Sequence, residues 1–217
     1  KNSHAEGEST MAVGTNSHAE GKLTLAGTDF SHTEGENTQV IGTASGGHAE
    51  GSGTIVDTTR GPHGHAEGVQ TKVTGYAAHA EGVLTEALLD GAHSEGGRTI
   101  AAGPYSHAEG DSTEALEHTA HAEGYHSVAK ASSSHAEGAN TKALGTYSHS
   151  EGTYTKAVGE YSHAEGSQSQ AFGRGAHSQG LSTSAHSNYS HAEGNSTTAG
   201  HIVKSNQFTN TVDNELR

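Results

Sequence analysis

At 217 residues the chain is long enough for one or two globular domains, but Leu, Ile, Val and Phe supply only 26 of them. With 31 Gly and 2 Pro, that composition by itself excludes a conventional packed core and predicts disorder. A net charge of −14 without a basic patch argues against nucleic acid as a partner, the absence of Cys excludes disulfides and thiolate metal sites, and no apolar run reaches the length of a signal peptide or membrane span.

A strict internal repeat overrules the prediction of disorder. Fourteen His begin copies of His-Ala-Glu-Gly or a close variant: His4, His18, His32, His48, His65, His79, His93, His107, His121, His135, His149, His163, His177 and His191. The steps between them are 14, 14, 16 and 17, followed by nine of 14. A fixed short period is the mark of a solenoid. Protonating these fourteen His alone would bring the net charge to zero. The chain opens at Lys1 in mid-phrase, which predicts a fragment or a processed product.

Positions within a repeat are counted from its His. The residue before the His is Ser eight times, Ala four times and Gly twice; the residue after it is Ala, Ser or Thr. Offset two holds Glu6, Glu20, Glu34, Glu50, Glu67, Glu81, Glu95, Glu109, Glu123, Glu137, Glu151, Glu165, Gln179 and Glu193. Offset three is always Gly: Gly7, Gly21, Gly35, Gly51, Gly68, Gly82, Gly96, Gly110, Gly124, Gly138, Gly152, Gly166, Gly180 and Gly194. Offset six is Thr or Ser, offset eight Ala or Val, and offset ten is Gly in half the repeats.

Alternation with period two predicts two short strands per repeat, Ser-His-Ala-Glu-Gly and Thr-x-Ala-x-Gly. Small residues face inward from both strands, and His and Glu face outward from the first. Gly after each strand is expected to permit the bends. One repeat is then one coil of a narrow roll, and coils stack by parallel pairing about 4.8 Å apart, giving a rod of roughly 65 Å. The repeat domain is expected over residues 1–200, with loop insertions near 43–47 and 58–64. Coils with Leu89, Glu117 or Ala131 in place of the second Gly are expected to turn less tightly. Residues 201–217 do not repeat and are expected to connect to a neck, stalk or following domain. Phe208, Val212 and Leu216 there are spaced by four, compatible with a short helical stripe.

Offsets seven and nine drift freely, from Met11 and Val13 to Glu86 and Leu88, whereas His and Glu do not. A merely solvated face should drift, so the His/Glu face is expected to be engaged by another chain. The phrase S-H-A-E-G-x-x-T-x-A-x-G resembles the head repeats of YadA-like trimeric adhesins over residues 2–200. In that family the two outward slots are Val and Ile facing a threefold axis. The SHAEG form also resembles repeats of tail proteins in phages and prophages of Gram-positive bacteria. The resemblance implies an all-β fold, a left-handed parallel β-roll of about 14 coils assembled as a parallel homotrimer. It implies an extracellular module, on a virion tail or bacterial cell surface, with a surface receptor or glycan as partner and no membrane contact by this segment. His4 to His191 and Glu6 to Glu193, with Gln179, would form a polar ladder in the trimer core. A His donating to a Glu carboxylate, within or between coils, would satisfy both. Pairing would raise the His pKa, whereas burial would lower it, so the residues alone leave the direction open.

Other chemistries fit less well. The repeat His and Glu could hold a divalent metal on the trimer axis, but a pair on every coil exceeds what dedicated sites require, so no cofactor is assigned. Fourteen identical copies contain no unique cleft, which argues against an enzyme. An ice-binding Thr face is opposed by the inward register of Thr. The insertions Ala44–Gly47 and Thr59–Gly64 are candidates for receptor contacts, with a tolerated insertion as the plainer reading. Tyr105, Tyr147, Tyr161 and Tyr189 recur before the phrase and are expected to cap corners of the roll, with glycan stacking as the alternative.

Overall fold

A computed structural model describes residues 2–200. The C-terminal connection expected at residues 201–217, including the Phe208, Val212 and Leu216 stripe, lies outside the described residues. Among those described there is no helix. Every repeat is one coil of a parallel β-solenoid, fourteen in all. The chain divides into two compact units, Lys1–Thr119 with eight coils and Ala120–Arg217 with six.

Each coil has a five-residue strand that starts at the repeat His, such as His4–Glu8 and His18–Lys22, and a strand of two or three residues, such as Met11–Ala12 and Gln39–Ile41. Within each unit, long strands pair only with long strands and short with short, always in parallel. The register sets equivalent residues beside one another: His79 beside His93 and Glu81 beside Glu95 in the first unit, His135 beside His149 and Glu137 beside Glu151 in the second. The sequence period is thus the stacking period.

The interior is made of small side chains, because two strands this close leave no room for larger ones. Ala19, Ala49, Ala80, Ala122 and Ala164 after the His have no solvent exposure, nor do Ala87, Ala115 and Ala143 at offset eight. Thr at offset six is also inside; Thr38, Thr54, Thr99 and Thr141 are fully buried. Ser before the His has a specific task. Its hydroxyl donates to the carbonyl three residues back, as Ser17 does to Gly14 (2.8 Å), Ser106 to Gly103 (2.7 Å) and Ser162 to Gly159 (2.6 Å). That bond satisfies a carbonyl at a corner.

The three Val at offset eight (Val40, Val56 and Val73) are the largest fully buried side chains. They lie in three successive coils and surround the two Gly that precede a His, Gly47 and Gly64. A Cβ on Gly47 would meet Val40 Cγ1 at 2.6 Å, and one on Gly64 would meet Val73 Cγ1 at 2.8 Å. Val and Gly here replace the usual Ala and Ser or Ala, an exchange that keeps the interior volume.

The bends are not where Gly suggests. The fourteen Gly from Gly7 to Gly194 lie inside the long strands rather than at their ends, with φ between +102° and +124°. Close stacking requires them: a Cβ on Gly82 would meet Gly96 O at 2.1 Å, and one on Gly138 would meet Gly152 O at 2.2 Å. The left-handed corners fall at offset five and two residues before each following His. Most are not Gly: Leu23 (φ 57°), Arg98 (54°) and Tyr154 (55°) at the first corner, Phe30 (55°) and Tyr105 (54°) at the second. These conformations cost energy for an L residue. They persist because the corner amides point along the stack and donate to the preceding coil, as Leu23 N does to Glu8 O (2.9 Å) and Tyr105 N to Asp90 O (2.8 Å).

The expectation of looser turns at Leu89 and Ala131 is corrected by turn bonds within the coil. Ala92 N donates to Leu89 O at 3.0 Å and Ser134 N to Ala131 O at 3.1 Å, as short as Ser148 N to Gly145 O at 3.0 Å. The backbone closure at these two turns does not require Gly at offset ten.

Both insertions lie in connections that precede a long strand. They are tied down: Thr58 Oγ1 donates to Ala44 O at 2.7 Å, His63 N to Ser45 O at 3.3 Å, and Ala77 N to Pro62 O at 3.1 Å. Beside them in the first unit opens a cleft of about 540 Å³, whose lining includes Asp29, Thr43, Ser45 and Pro62.

Candidate functional site

The in-register pairing turns the repeated His into columns of imidazoles. In the first unit, His48 and His65 have centroids 4.7 Å apart and planes 1° from parallel, and His65 and His79 follow at 4.8 Å. In the second, His135, His149, His163 and His177 succeed one another at 4.7, 4.8 and 4.9 Å, all within 3° of parallel. The stacking ends where coverage ends: His4 is tilted 56° to His18, and His191 is tilted 57° to His177.

Glu at offset two runs alongside in a second column. The carboxylate approaches the imidazole of its own coil without bonding to it. Nε2 to Oε2 separations are 3.9–4.0 Å for His18, His48, His93, His135, His149 and His163, beyond hydrogen-bond reach. The hydrogen-bonded His–Glu pair expected from the sequence is therefore not formed at these positions within one chain. Both side chains leave the same face of one strand and extend side by side. Gln179, the one departure from Glu, does make a bond: its Nε2 donates to Glu165 Oε1 at 2.8 Å, linking adjacent coils.

One chain covers the ladder only in part. His149 and Glu151 retain 36% and 47% of their side-chain surface, while Ala and Thr on the inner face retain none. Yet the Nε2 atoms of His48, His79, His135 and His163 are shielded from solvent and have no hydrogen-bond partner. Burial first, and the flanking imidazoles second, hold His48 below the ordinary His value, against the opposing pull of Glu34 and Glu67. The same order of causes lowers His79, His135 and His163. At these four positions the direction left open by the sequence is decided within the chain: burial and neighbouring His outweigh Glu, and the neutral ring is favoured.

The Thr at offset six faces inward throughout, which removes the flat outer Thr array that an ice-binding surface would need. Where the residue after the His is Ser, it meets that Thr: Ser94 with Thr99 at 2.7 Å, Ser150 with Thr155 at 2.9 Å and Ser178 with Thr183 at 2.8 Å. Where it is Ala, hydroxyls such as those of Thr54, Thr71 and Thr85 have no partner. Fixed spacing in the sequence contained this pairing signal, and the stacked imidazoles too, but only the three-dimensional register exposes it. The recurrent Tyr stand on the second corner and point outward, with 64% exposure at Tyr105 and 73% at Tyr189. Tyr147 and Tyr161 stack at 5.1 Å, and the Arg174 guanidinium lies 5.6 Å from the Tyr161 centroid.

Comparison with protein families matches the YadA head domain repeat, in two copies, over residues 5–22. The matched phrase recurs in register through both units. The chain carries YadA-like head repeats. No curated protein matches the chain. The YadA-like slots that are apolar in the family hold His and Glu here, on the outer face of every long strand. Structural, adhesin-type architecture is the coarse reading these repeats carry, and it points away from catalysis.

Proposed function

We propose that the chain is a structural module of an extracellular trimeric fibre, its three copies running parallel and meeting through the His/Glu face. One observation carries this reading. The outer face of the long strands is as uniform in sequence as the sealed interior, yet one chain leaves it half exposed with shielded, unpartnered imidazole nitrogens. A face held constant without an internal reason has an external one. The relation to adhesin heads supports a threefold arrangement, with His and Glu in the place of the apolar core. The lowered His pKa values support further burial, because a neutral ring is far less costly to desolvate than an imidazolium.

In this reading the YadA-like solenoid is a stiff spacer that projects, and takes part in, attachment to a host or other surface. The setting is a virion tail fibre or a bacterial surface filament. The insertions at 43–47 and 58–64 and the exposed Tyr are where receptor or glycan contacts would vary without disturbing the coils. No catalytic residue is assigned, nor nucleic acid or membrane contact. Sedimentation equilibrium of the purified chain tests the central claim. A mass of three chains is expected; a stable monomer would overturn it.

A further inference from the structure

In the second unit the ladder does more than repeat. Four sets of donors converge, each made of the His and Glu of one coil and the His of the next: His121, Glu123 and His135; His135, Glu137 and His149; His149, Glu151 and His163; His163, Glu165 and His177. In each set one ligand atom per residue lies within 4.8 Å of the others. No point set with edges that short needs a centre farther than about 2.8 Å from any corner, so inward movement of about 0.7 Å per ligand reaches the 2.0–2.2 Å bonds of zinc to imidazole and carboxylate. No corresponding set forms among the described residues of the first unit.

Two further observations point to a bound cation. The Nε2 atoms of His135, His149, His163 and His177 are shielded from water and lack a hydrogen-bond partner, so their pairing capacity is unspent. Beside them the register places Glu137 against Glu151, and Glu151 against Glu165, like charges in adjacent strands. Such a column is destabilising unless something positive sits between its members. At Glu165 the repulsion is relieved within the chain by the Gln179 amide.

We propose that the coils of the second unit bind divalent transition ions, each held between two consecutive coils by two imidazoles and one carboxylate; because neighbouring sets share a His and a neutral imidazole offers one lone pair, at most two of the four are filled at once. Mixed nitrogen and oxygen donors select zinc, nickel, copper or cobalt over magnesium and calcium, which prefer all-oxygen sites. A fourth position stays open to water. These stations lie within a single chain, between coils, and so do not depend on trimer formation. Each ion would bridge a pair of adjacent coils and staple them together.

The test uses the whole chain after treatment with chelator. Calorimetric titration with ZnCl₂ and NiCl₂ is compared with MgCl₂ and CaCl₂, and CoCl₂ is followed by its visible absorption. Zinc and nickel are expected to bind at least about tenfold more tightly than magnesium or calcium, and to raise the melting temperature. The double variant His149→Gln/His163→Gln removes imidazoles from three of the four stations, leaves the His121, Glu123 and His135 set intact, and is expected to lower the zinc stoichiometry from two ions per chain to one. Its circular dichroism verifies the fold; if that is lost, Glu151→Gln, on the partly exposed outer face, replaces it and should weaken zinc binding. Zinc binding unchanged in the folded variant, equal affinity for calcium, or no zinc binding at all would each overturn the proposal. Chain mass measured with and without chelator reports separately on trimerisation.

Discussion

The two faces of the long strand are equally regular in sequence and differ in what enforces that regularity. On the inner face the cause is visible in one chain. Ala80 and Thr85 are sealed, and a single methyl on Gly82 would lie 2.1 Å from the next coil's carbonyl. On the outer face His79 and Glu81 are just as constant, yet nothing in the same chain would clash if they changed. Uniformity is evidence of constraint in both cases, but only the inner constraint is enforced by packing within the chain. The short strands supply the control: their outer positions, from Met11 to Lys72 and Glu86, vary without pattern.

Four substitutions or conditions would break or sharpen this contrast. The largest effect is expected on the inner side. Gly138→Ala places a Cβ 2.2 Å from Gly152 O at φ +110°, and should destabilise the stack by about 3 kcal/mol or more, read as a sharp drop in melting temperature. Next comes His65→Ala/Glu67→Ala. Its cost within one chain is expected to stay within about 1 kcal/mol, since both side chains are partly exposed, while the trimer mass is lost and strand circular dichroism is kept. A variant that stays trimeric would place the interface elsewhere.

The third is pH. Burial lowers His48 and His79 below 6.5, so the fold favours the neutral ring. That contribution is complete above the unfolded value of 6.5 and is lost as pH falls through the lowered folded values. Melting temperature should therefore decline as pH drops from about 8 to about 5. A rise over the same range would show that pairing with Glu prevails. The smallest effect is expected from Ala80→Ser, which gives Thr85 Oγ1 the partner that Ser94 gives Thr99. The added bond should contribute about 0.5–1.5 kcal/mol, seen as a modest gain in melting temperature.

Much of this was legible from the residues. Alternation placed Ala and Thr inside and His and Glu outside, and the 14-residue step fixed the in-register columns. The corners were not legible. Gly at offset three reads as a bend because Gly so often serves there, whereas it is needed for close approach of neighbouring backbones. The true corner at offset five is occupied by Leu23, Arg98, Tyr154 and Gln168, with no shared chemistry to reveal it. Its conformation is imposed by bonds to the coil before, and such bonds leave no trace in composition. The protonation of the ladder was likewise out of reach, since it depends on how closely the rings stack and how far Oε2 stays from Nε2. The Val and Gly exchange around Val40 and Gly47 was present in the sequence, but its meaning needed the distance between them.

The left-handed corners have a consequence for how such a module changes over time. Each coil presents two positions where the backbone is held by its neighbours and the side chain projects away from both the interior and the His/Glu face. Leucine, arginine, serine, asparagine, tyrosine and histidine all occupy them already. Each corner therefore forms a column of side chains at the strand spacing, about 4.8 Å apart, that can be rewritten one coil at a time. Recognition chemistry can turn over along these two edges while the scaffold that carries it stays the same.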